Sequence, residues 1–334
     1  MTEKSLDVVS LGEMLIDFIS NEGGIPLADV GSFSRAAGGG PANVAVGAAR
    51  LGARTGFIGK VGRDAFGVHL ASILEENGVD TRGLVQDDEA NTTLAFVALT
   101  AEAKPEYVFF RHGTADTRLS PEDLPLDMLG ETRILHFSSV SLTAEPARTA
   151  TVEAVRLARK AGAFVSFDPN VRLSLWQDEG SAREVITKAV GQSQLVKLNE
   201  EELSFLTGCE EIEEGLTTLL QFGPRLAAVT RGAQGAVLAR PGLTVNIPSM
   251  PVDVVDTTGA GDAFMAGLLA SLAGVLRDTG DVADLPERTL REFGRRASIA
   301  AGLTCTHLGV IPALPRQGEV EKQFIFYQVR QRGN

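Results

Sequence analysis

Two hydrophobic periods alternate along this chain. Short β-branched and apolar runs predict strands over 7–11 and 55–58, and again over 133–137, 163–167, 194–198 and 226–230. Between them, helix-period stretches predict helices over 42–51, 65–77, 145–161, 181–191, 200–207 and 213–221, with two more over about 260–277 and 286–304. Pro41 near the start of the first helix and Gly78 after the second are the expected punctuation. Strands that alternate with helices argue for a parallel sheet covered on both faces. Two β-rich stretches, 92–100 and 106–111, flank a polar loop with Pro105 and predict a hairpin. A further β-rich patch spans 234–248. No repeat, low-complexity tract or long linker divides the chain. One α/β domain over 1–334 is therefore expected, with a small β lid built from segments at about 13–37 and 91–112.

Composition narrows the class. Apolar types make up 44% and charged types 22% of the residues, which excludes a disordered or collagen-like chain. The formal net charge is −12 and no long Lys/Arg run is present, so nucleic-acid binding by counterion release is not expected. An anionic ligand would have to be held by local cations or backbone amides against the global field. The first residues carry no secretory pattern and no apolar run is read as membrane-spanning, so a cytoplasmic protein without a membrane partner is expected. Cys209 and Cys305 lack disulfide-framework or metal spacing and read as free thiols. The four His offer no zinc-type arrangement. The 36 Gly cluster, most densely at Gly38-Gly39-Gly40, where backbone is expected to approach something closely.

The sharpest chemical signal is Asp256-Thr257-Thr258-Gly259-Ala260-Gly261-Asp262. It follows Val252, Val254 and Val255 and opens a helix of small and apolar residues. Gly259, Ala260 and Gly261 would set bare N–H groups at the positive end of that helix, where a phosphate can be cradled. The alternative is a tight turn with Asp262 as the helix cap. No Lys follows, so this is not a Walker A loop.

The second signal is Gly38-Gly39-Gly40-Pro41-Ala42-Asn43, continued by Gly52, Gly59 and Gly62. Tight helix–strand packing accounts for the glycines. It does not account for Asn43, where Ala would be the better helix former. Asp17 reads as closing the first strand, a carboxylate at the carboxyl end of a parallel strand, where open α/β sheets bind ligands. A carboxylate and an amide pair well with vicinal hydroxyls, which points to a polyol.

These residues resemble both signatures of the ribokinase-like (PfkB) carbohydrate kinases, in order and at the family's spacing. The resemblance covers nearly the whole chain, including 167–176, 197–202, 229–235 and 306–315. Within the family the chain is most similar to bacterial and plant fructokinases, through 12–18, 94–100, 107–111 and 168–176. The resemblance implies a three-layer α/β/α fold with a mainly parallel central sheet, and a small β-sheet lid through which two copies form a homodimer. It implies transfer of the ATP γ-phosphate to the C6 hydroxyl of D-fructose, with Asp262 as base and the amides of Gly259, Ala260, Gly261 and Asp262 as anion hole. Asn199 and Glu202 match an N-x-x-E element linked through water to Mg²⁺ and to the nucleotide phosphates; the same pair also reads as a helix capping box. Thr230, Gly232 and Gly235 match nucleotide-contacting positions, or a plain strand-end turn. Asp256, the Thr258 carbonyl and Gly309 match a loop for a monovalent cation such as K⁺. For the sugar the resemblance selects Asp17, Gly39, Asn43, Arg111 and Arg172. Arg172 also reads as a structural ion pair, and Arg111 as a solvated edge charge.

Two other functions are weighed against this one. A 2-keto-3-deoxygluconate kinase would share the pattern, but a carboxylated substrate needs more cationic or Tyr donors at the lid than Tyr107, Arg111 and Arg172 supply. A catalytically inactive, fructokinase-like regulatory protein would lack the base and anion hole, whereas Asp262, Gly259, Gly261 and Asn43 are all present.

Overall fold

The structure, a computed structural model, describes residues 4–99, 105–278, 282 and 285–332. Its strands, numbered in chain order, are β1 (Leu6–Leu11), β2 (Leu15–Ser20), β3 (Phe33–Gly38), β4 (Thr55–Gly62), β5 (Asp80–Asp87), β6 (Leu94–Leu99), β7 (Pro105–Phe110), β8 (Thr132–Ser138), β9 (Phe164–Asp168), β10 (Leu195–Asn199), β11 (Leu226–Thr230), β12 (Ala236–Arg240) and β13 (Leu243–Ile247). The larger sheet has the order β13-β12-β11-β10-β9-β8-β1-β4-β5, and the smaller one β3-β2-β6-β7. From β5 to β11 all neighbours are parallel. The 234–248 patch forms the antiparallel edge β12–β13.

Alternating side chains of the parallel strands feed two apolar cores. Val9, Leu11, Leu135 and Phe137 pack with the helices Ala147–Lys160 and Glu179–Gly191 on one face. Val8, Ile134, Leu195 and Ala228 pack with the helices Ala260–Asp278 and Glu287–Thr304 on the other. Strands buried on both sides read as near-continuous apolar runs, which is why they were legible. A large, mostly parallel sheet between two helical layers, with a separate small sheet, is the expected three-layer class. Each fully buried Leu, Val or Phe side chain contributes roughly 1.5–3 kcal/mol to holding the layers together.

Two expectations are corrected, and two elements are added. Asp17 does not close the first strand: β1 ends at Leu11, and Asp17 lies inside β2 of the small sheet. The break is at Gly12, where φ is +151° and a Cβ would stand 2.6 Å from the Pro41 ring, so the chain turns out of the large sheet there. Strand β5 and the C-terminal helix Gln317–Arg332 were not expected: Asp80, Thr81 and Arg82 break up β5, and the helix has one short apolar run, Phe324-Ile325-Phe326-Tyr327, among polar residues. The helix Ala260–Asp278 is, by length and composition, apolar enough to cross a membrane, with a mean hydropathy of 1.3. Here Phe264, Met265, Leu268 and Leu272 are buried in the core against the sheet and its neighbouring helix. The predicted end of the first hairpin strand at Thr100 lies outside the described residues.

The small sheet has two chemically different faces. Antiparallel β2–β3 and β6–β7 pairs flank a parallel β2–β6 pair. Strand alternation puts Phe18, Phe96 and Val108 on one face, and Asp17, Ala95 and Tyr107 on the other.

Candidate active site

Neighbouring parallel strands end in polar residues at one edge of the large sheet: Ser138 on β8, Asp168 on β9, Asn199 on β10 and Thr230 on β11. Over this edge two helix N-termini meet, those of Gly40–Arg50 and Ala260–Asp278. Gly47, one turn after Asn43, faces Ala266, one turn after Asp262; a Cβ at Gly47 would come 2.7 Å from the Ala266 Cβ. That close approach lets the Asn43 Nδ2 donate to Asp262 Oδ2 at 2.8 Å. Asn43 is buried, and its Oδ1, like Asp168 Oδ1, accepts no hydrogen bond from the described residues. Buried polar atoms without partners are rare and mark where a ligand group would bind.

Three carboxyls share this region with raised pKa values. Burial drives Asp262 up to about 6, helped by Asp168 and opposed by the Asn43 hydrogen bond, Lys197 and Arg172. Asp17 is pushed up to about 7 by burial, with Asp262 adding to the rise and Arg172 opposing it. Glu13, buried behind them, also rises to about 7, chiefly through burial. Its Oε1 accepts the Gly40 N–H at 3.2 Å and its Oε2 the Ser138 hydroxyl at 3.2 Å. A pocket where several acids resist ionisation is a functional-site signature.

The glycines here make room for chemistry. Gly38 leaves space for Asp17, whose Oδ2 would be 1.9 Å from a Cβ, and Gly39, at φ +107°, approaches the Glu13 carbonyl. A Cβ on Gly40 would meet Asn170 Nδ2 at 2.8 Å, with Asp262 and Glu13 oxygens next nearest. Arg172 lies 5.6 Å from the Tyr107 ring centre and interacts with both Asp17 and Asp262. Asp17, Gly39, Asn43, Arg172 and Asp262 therefore converge, with the small sheet supplying Asp17 and Tyr107.

Arg111 stands apart. Its guanidinium is buried, donating through Nε to Asp116 at 2.6 Å, through Nη1 to Thr143 Oγ1 at 2.6 Å and through Nη2 to the Val140 carbonyl at 3.0 Å. It is neither a solvated edge charge nor a free donor at the pocket.

The second half of the site lies along β10 and β11. Asn199 and Glu202 form the capping box: Asn199 Oδ1 accepts the Glu202 N–H at 2.7 Å and Glu202 Oε2 accepts the Asn199 N–H at 2.9 Å. Glu202 Oε1 also accepts the Val171 N–H at 2.8 Å, tying this helix to the Asp168–Arg172 turn. Thr230 donates to the Leu198 carbonyl at 3.2 Å, and Gly232 and Gly235 hold positive φ in the turn that follows. Asp256 accepts from the Thr258 N–H at 2.9 Å and the Gly309 N–H at 3.1 Å, so the three predicted loop residues do meet. Gly259, at φ +77°, packs on Val310 and sets up the Gly259–Asp262 amides at the helix start. Val254, Val255 and Leu308 are exposed apolar residues beside this loop.

The pfkB carbohydrate kinase family model matches residues 5–317. The chain belongs to this family. Among curated relatives, "Probable fructokinase-4" of Arabidopsis thaliana is 41% identical over 320 residues, covering 96% of both chains. "Fructokinase-1" of Zea mays is 42% identical over 315 residues, covering 94% of this chain and 96% of its own length. The fructokinase from Xylella fastidiosa, solved with bound ATP, superposes with a TM-score of 0.88 at 32% identity, covering 97% and 99% of the two chains. A Vibrio cholerae fructokinase bound to fructose, ADP and calcium gives 0.84 at 33% identity, covering 95% and 99%.

The expected site residues did not include every polar group that meets here. Glu13, Tyr107, Asp168, Asn170 and Lys197 were not among the expected site residues. Lys197 left a trace, a lysine inside the apolar run Leu195–Asn199, where a fully buried charge is rare unless paired. Asn170 lies in the 168–176 segment that carries the resemblance, but its φ of +42° and its approach to Gly40 are set by tertiary packing.

Proposed function

We propose that this carbohydrate kinase transfers the γ-phosphate of ATP to the C6 hydroxyl of D-fructose. The observation that carries the reading is Asp262: a carboxylate at a glycine-rich helix start, oriented by Asn43 and facing the Asp17–Arg172 pocket. Asp17 and the free Asn43 Oδ1 bind sugar hydroxyls, with Gly39 and Arg172 closing the pocket. Asp262 accepts the proton of the attacking hydroxyl, and a pKa near 6 leaves it ionised yet basic enough at neutral pH. The Gly259, Ala260, Gly261 and Asp262 amides receive the charge that builds on the phosphoryl oxygens; one preorganised donor of this kind is worth about 3 kcal/mol in the transition state.

Asn199, Thr230, Gly232 and Gly235 line the nucleotide side, where Val254, Val255 and Leu308 offer apolar surface for the base. Among the described residues no group of three or more His, Cys, Asp or Glu is arranged to hold a metal ion. Both Glu202 oxygens already accept backbone N–H groups, from Val171 and Asn199, and such thin protein ligation suits Mg²⁺, a cation that keeps most of its own waters. Glu202 would hold it through water, and the bound ion would neutralise phosphate charge. Asp256, the Thr258 carbonyl and Gly309 would serve a monovalent cation such as K⁺.

We read the chain as one kinase unit over 1–334, with the small sheet as a lid. Exposed Val108 and Phe110, 40% and 60% accessible, favour pairing of two lids into a homodimer. The acidic charge favours small-molecule partners over nucleic acid, and two free cysteines favour the cytoplasm.

We favour fructose over 2-keto-3-deoxygluconate because Arg111 is buried and spends donors on Asp116, Thr143 and the Val140 carbonyl, leaving Arg172 and Tyr107 to meet a carboxylate. Steady-state kinetics with both substrates test this. We expect kcat/KM to favour fructose by at least about tenfold, roughly 1.4 kcal/mol of transition-state discrimination. A tenfold preference for the acid would overturn the fructose assignment.

A further inference from the structure

We propose that Lys197 is a positioning residue for phosphoryl transfer, holding Asp168 by a hydrogen bond and setting its charge beneath the anion hole against Asp262. This rests on the reading of Asp262 as the base. Lys197 is the only charged residue in β10 and is 6% exposed, so its ammonium has given up most of its water. Nζ donates to Asp168 Oδ2 at 2.7 Å. It also lies directly under the helix start: a Cβ on Gly261 would come within 2.9 Å of Nζ. Gly261 thus serves two ends, freeing its amide and admitting the ammonium. A structural ion pair between β9 and β10 would need only the first contact.

Carboxyl groups outnumber cations around this point, and Lys197 and Arg172 are the cations that act on Asp262. Asp168, Glu202 and Asp262 all act on Lys197. Asp262 in turn faces Asp168, Arg172, Asp17 and Tyr107 as well as Lys197. Removing Lys197 alone would strand Asp168 as a buried, unpaired charge, which can unfold a protein on its own account. The informative comparison therefore starts from Asp168→Asn, where that charge is already gone.

The experiment compares D168N with D168N/K197M, after thermal unfolding shows that both fold, and runs D262N in parallel. If Lys197 acts on Asp262, the double variant has a kcat lower than that of D168N by at least about tenfold, as expected for impaired general-base catalysis. The acid limb of kcat moves up by about half to one pH unit, because the carboxylate has lost a neighbouring cation. Fructose affinity stays within about threefold, less than 1 kcal/mol. Carboxyl ¹³C NMR of Asp262 gives the same comparison without turnover. Coincident kcat and Asp262 titration in the two variants would show that Lys197 serves Asp168 only, and would overturn the inference. Undiminished turnover by D262N would instead remove the base assignment on which it rests.

Discussion

Asn43 and Asp262 carry the most chemistry per residue in this molecule. An Asn inside a helix of Ala, Val and Gly is locally unfavourable, and its return is one hydrogen bond to a carboxylate 219 residues away. That bond favours the ionised form of Asp262 and offsets part of the burial that raises its pKa. The sign for activity follows. A base is productive only when ionised, so kcat should fall as pH drops through about 6. Asn43→Ala removes a contribution that lowers the pKa, so its acid limb should lie at higher pH than that of the wild type. A pH profile of kcat at saturating ATP and fructose checks this; a limb that stays in place would mean the pair only positions the two helices. Arg111 teaches the opposite lesson at the same scale. Its identity and position in the sequence suited a substrate cation, but its buried guanidinium donates to Asp116, Thr143 and the Val140 carbonyl.

At the scale of elements, the site depends on how closely two helices approach. Gly40–Arg50 and Ala260–Asp278 meet where Gly47 faces Ala266, and their N-termini are thereby brought over the sheet edge. Gly47→Ala would put two Cβ carbons 2.7 Å apart and push the helices outward. Overpacking of this kind costs about 1–3 kcal/mol in stability. It should also lengthen the Asn43–Asp262 contact, so kcat should fall with the chemically active groups untouched. Chemical denaturation and steady-state kinetics measure the two effects; unchanged values for both would show that the crossing has slack. The helices themselves were legible from their apolar periods. Strand β5 was not, because Asp80, Thr81 and Arg82 interrupt its apolar positions and only pairing with β4 makes it a strand.

For the whole molecule, the two sheets divide the labour. The edge of the large sheet underlies Asp262, the Gly259–Asp262 helix start and the turns after β10 and β11, while the small sheet brings Asp17 and Tyr107 across. The face of the small sheet opposite Asp17 carries Phe18, Phe96, Val108 and Phe110; the rings of Phe18 and Phe96 stack at 5.0 Å, Phe110 meets Phe96 edge-on at 5.5 Å, and Val108 and Phe110 are its exposed part. Phe110→Glu should convert the proposed homodimer to a monomer, since a charge at a desolvated contact has no partner there. Sedimentation or light scattering reads this directly. A wild-type monomer at micromolar concentration would remove the dimer from the description. With a net charge of −12, the proposed phosphate site would have to rely on local amides, a helix N-terminus and a few cations, not on a basic surface.

The sequence alone determined the layered α/β class and the glycine-rich helix starts, and singled out Asp262, Asn43, Asn199 and Glu202. These are properties of local spacing: periodicity sets the element, and glycine, asparagine and aspartate set its ends. Only the tertiary structure decided which side chains share a pocket. It moved Asp17 from the end of β1 into the small sheet, withdrew Arg111 into an ion pair, and set Glu13, Asn170 and Lys197 against the glycines. The physical reason is that burial, hydrogen-bond partners and pKa depend on neighbours distant in the chain, and no local pattern encodes how close two backbones will come.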